Sequence, residues 1–350
     1  MVVFMAQILP CLLGLRAHNA RSSDHHRDWG MRIRNVGIWI SAACMALLAA
    51  GVAAPLCADI DKPPFTLTRL GPGGYAAIAV PGASAGANAG FVIGEEAVAV
   101  IDTFVSATAA EALLAEIRRL TPLPVRYVIN THHHIDHVAG NAVFLQQGAV
   151  LIAQRNVRDW VKSENLRLFG DRITAEREAQ VKALEPPRLG YEGELLLDLG
   201  GVRIVVRSLP GHTGGDSIVR VPKASVAFLG DLFWRRSVPN LVDATVADWV
   251  GTLERITQGP SAASMRFVPG HGEIGSGAEV LEFRAYLLDL RAAVGTHRKD
   301  GLGGNALHSA VLAQLAARYG DWAYYKSLAP RNVLDMAAEL EGRKRNPSLD

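Results

Sequence analysis

Short apolar and β-branched runs predict strands at 75–80, 91–93 and 97–101, the last two closing a hairpin around Glu95-Glu96. Residues 107–120 then change period. Leu113, Leu114, Ile117 and Leu120 share one helical face, with Arg118 and Arg119 on the other. A strand follows at 124–130, a short helix at 138–145, a strand at 149–153 and a charged helical stretch over 155–184. A second batch of strands is expected at 195–199, 202–206, 217–221 and 226–229, separated by Gly or Pro turns. A helix at 246–256 and a last strand at 267–269 complete it, and from 276 onward the pattern is helical, broken at 301–304. Two strand batches, each followed by helix, predict two packed sheets with helices outside. Residues 276–350 read as a helical extension, with a homodimer arm or a lid as its expected uses.

Composition divides the chain once more. Arg32 and Arg34 precede a run from Val36 to Ala58 that carries no charge, after which Asp59-Ile60-Asp61-Lys62 turns polar. This is the pattern of a signal peptide cleaved after Ala58, so a periplasmic or secreted location is expected. An uncleaved membrane anchor is the alternative, since the run is long enough to span a bilayer. Met31 reads as the true start. The expected division is therefore a leader at 1–58, a main domain at 59–275 and the helical extension at 276–350. Cys11, Cys44 and Cys57 all lie in the leader, so the mature part has neither disulfide nor thiolate ligand. Without the leader, 31 basic and 32 acidic residues remain, which argues against nucleic acid and for a small-molecule substrate.

The chemistry concentrates at Thr131-His132-His133-His134-Ile135-Asp136-His137, four of the chain's eleven histidines within six positions. Imidazole and carboxylate are the donors that zinc-like divalent metals prefer. The cluster follows the predicted strand at 124–130, a common place for a catalytic loop. Three later segments share that character. His212 sits in the glycine-rich turn Pro210-Gly211-His212-Thr213-Gly214-Gly215, Asp231 just past an apolar strand, and His271 at a strand end between Gly270 and Gly272. Each alone reads as an ordinary loop residue; together, in strand-then-ligand order, they point to a metal centre.

The series His132-x-His134-x-Asp136-His137, then His212, Asp231 and His271, resembles the ligand pattern of the metallo-β-lactamase superfamily over roughly residues 65–275. The resemblance implies an α/β fold, the αββα metallo-β-lactamase sandwich, here with a C-terminal helical extension. It implies that His132, His134 and His212 hold one metal and that Asp136, His137 and His271 hold the other. Asp231 would bridge them, and His133 is not a ligand. Asp102 resembles the family's aspartate that orients a ligand histidine. Two Zn²⁺ are expected, with iron or manganese as the alternatives. Metals about 3.5–4 Å apart would lower the pKa of bound water toward about 7, and the resulting hydroxide would attack a carbonyl.

The segment from Gly230 through Trp249 resembles that of the dizinc β-lactamases, with Asn240 matching their substrate-contacting asparagine and Asp136 expected to be catalytic. Two departures stand out. Asp231 replaces the cysteine of those enzymes and marks the wider family, including glyoxalase II and lactonases. Their carboxylate-binding lysine falls at Trp234, leaving Arg235 or Arg236 as substitutes, and the flap-like loop 81–88 has no aromatic residue. The expected activity is an exported hydrolase of an amide, lactam or ester. The alternatives are a lactone or thioester hydrolase, an iron sulfur dioxygenase, and a non-enzymatic metal-binding protein. A nuclease is disfavoured because only 39 residues separate Asp231 from His271.

Overall fold

Successive residues of a strand point to opposite sides, and the apolar runs here are buried on both. In the computed structural model, which describes residues 63–258, 262–345 and 347, this yields two sheets. The first comprises β1 (Phe65–Arg69), β2 (Gly74–Ala79), β3 (Ala89–Ile93), β4 (Val98–Ile101), β5 (Val125–Ile129), β6 (Val150–Gln154) and β7 (Leu189–Tyr191), in that spatial order. Its pairs are antiparallel up to β4 and parallel from β4 to β7. Helices make the parallel crossovers: α1 (Ala107–Leu120), then α2 (Ile135–Val138) and α3 (Asn141–Leu145), then α4 (Arg155–Phe169) and α5 (Ala175–Lys182).

The second sheet comprises β8 (Glu194–Asp198), β9 (Arg203–Ser208), β10 (Ser217–Val221), β11 (Val226–Trp234) and β12 (Arg266–His271). Its neighbours run in the order β12-β11-β10-β9-β8, and only the β11–β12 pair is parallel, with α6 (Val246–Thr257) as its crossover. The chain then continues into α7 (Gly277–Lys299), α8 (Gly304–Tyr319) and α9 (Tyr325–Leu340).

Side-chain alternation sorts the core into three layers. In β4, Ala99 and Ile101 face the second sheet, meeting a set that includes Val226, Phe228 and Val268, while Val98 and Val100 face α1. In β11 the intervening Ala227 and Leu229 turn outward into a core shared with Trp249 of α6, Phe283 and Tyr286 of α7, Leu315 of α8 and Met336 of α9. The result is the expected helix–sheet–sheet–helix sandwich. The helices of 277–340 bury their apolar faces on the outer side of the second sheet.

Several boundaries differ from the sequence reading. β1 and β7 were not expected; both are short edge strands, five and three residues long, with weak patterning. The helical stretch after β6 divides where Thr174 caps α5 by accepting the Arg177 N–H. Strand β11 does not stop before Asp231 but runs on to Trp234: its pairing with β12 shifts register on either side of Gly230, which pairs with Pro269, and the second shift spans Asp231. His271 likewise closes β12 from within. The leader at 1–58, with its signal segment and Met31, lies outside the described residues. Among the described residues no helix is long and apolar enough to cross a membrane.

Candidate metal centre

The histidine loop leaves β5 at the rim of the sandwich and is held by side chains on every side. Asn130 and Asn141 exchange amide hydrogen bonds, and Asn165 of α4 donates to His133 O while accepting the Ile135 N–H. The Ser217 N–H donates to Thr131 O at 2.8 Å, tying the loop to the second sheet. Asp102, in a left-handed conformation (φ 55°), accepts both the Thr131 N–H and the Thr131 hydroxyl, at 2.8 and 2.7 Å.

This scaffold gathers all seven residues expected as ligands. His132, His134, His212 and Asp231 form one buried group, and Asp136, His137 and His271 a second. Asp231 lies between them. Its Oδ2 is 3.2 Å from His212 Nε2 and 3.7 Å from His132 Nε2, while its Oδ1 is 3.1 Å from His137 Nε2 and 3.5 Å from His271 Nε2. Asp136 Oδ2 lies 3.3 Å from His271 Nε2 and 3.8 Å from His137 Nε2. His134 Nδ1 and His212 Nε2 are 3.0 Å apart.

Two glycines make this approach possible. Gly230 takes a positive φ of 51° immediately before Asp231. A Cβ on Gly270 would fall 1.9 Å from Asp231 Oδ1, so no other residue fits beneath that carboxylate. Asn88, at the end of the 81–88 loop, staples the far side by donating to Pro269 O and Gly272 O.

Several of the cluster's polar atoms lack a hydrogen-bond partner. His132 Nε2, His137 Nε2, His271 Nε2 and Asp231 Oδ1 are buried and make no hydrogen bond, although buried polar groups are normally satisfied. Burial lowers His132 well below its ordinary pKa and His212 to about 3, keeping both neutral as ligands must be. Burial also pulls on His137 and His271, but there Asp231 and Asp136 outweigh it, lifting His271 to about 9. Such a nest of carboxylates and unpartnered imidazoles fits divalent cations.

The far nitrogens of the candidate ligand histidines are held in turn. Thr131 Oγ1 lies 3.1 Å from His132 Nδ1, and Asp102 Oδ2 lies 2.9 Å from His137 Nδ1, the orienting position expected for Asp102. His134 Nε2 meets Asp243 Oδ2 at 3.1 Å. Asp243 was missed in the sequence, where it reads as one more polar residue of the loop after β11. It is also 3.5 Å from His133 Nε2 and is paired with Arg167. His133 is thus a buried neighbour of Asp243, and burial lowers it to about 4 despite that carboxylate.

The remaining residues singled out in the sequence have these partners. Asn240 Oδ1 accepts the Val242 N–H in its own turn. Arg235 is engaged with Ile274 O and Glu279, and Arg236 with Asp321. Trp234 stacks on His271 at 4.0 Å between ring centroids.

A sequence model of the metallo-β-lactamase superfamily matches residues 85–271. The metallo-β-lactamase IND-1 of Chryseobacterium indologenes is 26% identical over 197 residues, covering 55% of this chain and 75% of that protein. A hydroxyacylglutathione hydrolase of Synechococcus sp. is 26% identical over 160 residues, and the match spans 54% of its length. Among solved structures, a metallo-β-lactamase from Pontibacter korlensis aligns with a TM-score of 0.53 at 21% identity, over 64% of this chain and 99% of that one. The chain belongs to the metallo-β-lactamase superfamily of metal-dependent hydrolases.

Proposed function

We propose that this chain is an exported dinuclear zinc hydrolase that cleaves the amide, lactam or ester carbonyl of a small molecule. The observation that carries the reading is Asp231, whose two oxygens face the two histidine groups separately, as a bridging carboxylate would. His132, His134 and His212 would hold one ion, Asp136, His137 and His271 the other. The imidazole-rich donor set suits zinc, and the carboxylates are compatible with it. When bound, the ions supply Lewis acidity toward a carbonyl and acidify water.

The protein's own part is to fix donors and protons. Asp102 accepts a hydrogen bond from the His137 Nδ1–H, fixing the tautomer whose Nε2 faces Asp231, and Asp243 accepts one from the His134 Nε2–H, leaving Nδ1 as the donor atom for an ion. Asp136 is the most open of the charged members, its side chain 22% exposed, so it is the carboxylate placed to accept or return a proton at the mouth. The relatives' names favour testing lactams and glutathione thioesters together.

Metal analysis of purified protein should find close to two zinc per chain, and a value near zero would sink the centre. Hydrolysis of nitrocefin, an acyl-homoserine lactone and S-lactoylglutathione would assign the substrate class; inactivity of the zinc-loaded protein on all three would refute it. The basic start and uncharged run over 31–58 support export, which cell fractionation tests directly.

A further inference from the structure

The C-terminal helices deliver one side chain to this centre. Tyr324 lies between α8 and α9 in a left-handed conformation (φ 62°). A non-glycine residue there costs about 1–2 kcal/mol, and such strain persists only where the surroundings impose it. They do so here. The Ala323 N–H donates to Arg236 O and the Val238 N–H to Ala323 O, both at 2.9 Å, while Asp321 pairs with Arg236 at 2.5 Å. This ties the α8–α9 turn to the end of β11.

The clamp sets the phenol beside the metal ligands. The Tyr324 ring stands edge-on to His271 at 6.4 Å and to Trp234 at 6.1 Å, with Trp234 stacked on His271. Tyr324 is partly exposed, as is Asp136. Burial raises its phenol pKa, and the Asp136 and Asp231 carboxylates add to that.

We propose that Tyr324 is a substrate-contacting residue, its hydroxyl donating to an oxygen of the bound substrate beside His271 and its ring forming, with Trp234, the wall of that side. This rests on the metal-centre reading above.

The test compares zinc-loaded parent with Tyr324→Phe, measuring zinc content, Tm, benzohydroxamate affinity by calorimetry, and kcat and KM on any substrate turned over. Zinc content and Tm should hold while hydroxamate affinity falls about five- to tenfold, the worth of one hydrogen bond. Tyr324→Asn, which keeps a residue tolerant of the left-handed backbone, should lose more because the wall goes too. Parental hydroxamate affinity in zinc-loaded Tyr324→Phe would overturn the proposal, and so would loss of zinc in that variant, which would make Tyr324 a support of the centre. A parent that binds no zinc is a different failure: it refutes the centre itself, and this proposal with it.

Discussion

Asp102→Asn isolates the effect of one buried carboxylate on one ligand histidine. Asp102 is 2% exposed and its φ of 55° suits asparagine nearly as well, so the backbone cost barely changes. Its Oδ1 accepts the Thr131 N–H, and its Oδ2 faces both the Thr131 hydroxyl and His137 Nδ1. An amide cannot reproduce this. With its NH₂ toward His137, the Nδ1 proton must leave and the favoured tautomer carries hydrogen on Nε2, where the lone pair should face the metal. With its NH₂ toward Thr131, two donors oppose each other and a buried N–H is orphaned. Loss of a partner behind a ligand histidine weakens metal binding by about 10–100-fold, or about 1.4–2.8 kcal/mol. Zinc titration by competition with a chromophoric chelator should therefore show one of two sites weakened by that factor and the other near parental. Two parental affinities would refute the orienting role, and equal loss at both sites would mean that the variant disturbs the whole loop.

Further substitutions probe the rest of the construction. Asp243→Asn should weaken the other zinc, the one served by His134, by a comparable factor, because Asp243 meets His134 Nε2 at 3.1 Å; the same competition titration distinguishes the two sites. Gly270→Ala should drive Asp231 out of place, since the added Cβ would stand 1.9 Å from Oδ1. Zinc stoichiometry should then fall below two while far-ultraviolet circular dichroism stays parental. Glu339→Ala should cost about 1–2 kcal/mol in denaturant unfolding, because that carboxylate of α9 accepts the Val246 and Ala247 N–H groups at the start of α6. Chelator-stripped protein should melt on the order of 10 °C lower than zinc-loaded protein, and an unchanged Tm would deny the coupling of metal to fold.

What the sequence reveals of this centre falls off with distance along the chain. The seven candidate ligands, which the fold brings together, stand out in the sequence because histidine is rare and each follows a strand. Their supports grade away. Thr131 adjoins His132, and Asp102, which lies 35 residues from its histidine, was found only through the family resemblance. Asp243 lies 109 residues from His134, in a loop with no spacing or composition to mark it, and only the tertiary fold, in which Arg167 of α4 pairs with it, brings it to the imidazole Nε2. Tyr324 is farther still and depends on the α8–α9 turn being hydrogen-bonded to the end of β11. Strand β11 shows the same limit locally. Glycine and aspartate are poor strand formers, so Gly230-Asp231 reads as a strand end, yet the irregular pairing with β12 keeps both inside. That irregularity sets Asp231 between the two histidine groups. A pattern of residue types can announce a metal centre, but the side chains that fix its tautomers and shape its mouth are recruited through tertiary contacts that no local pattern encodes.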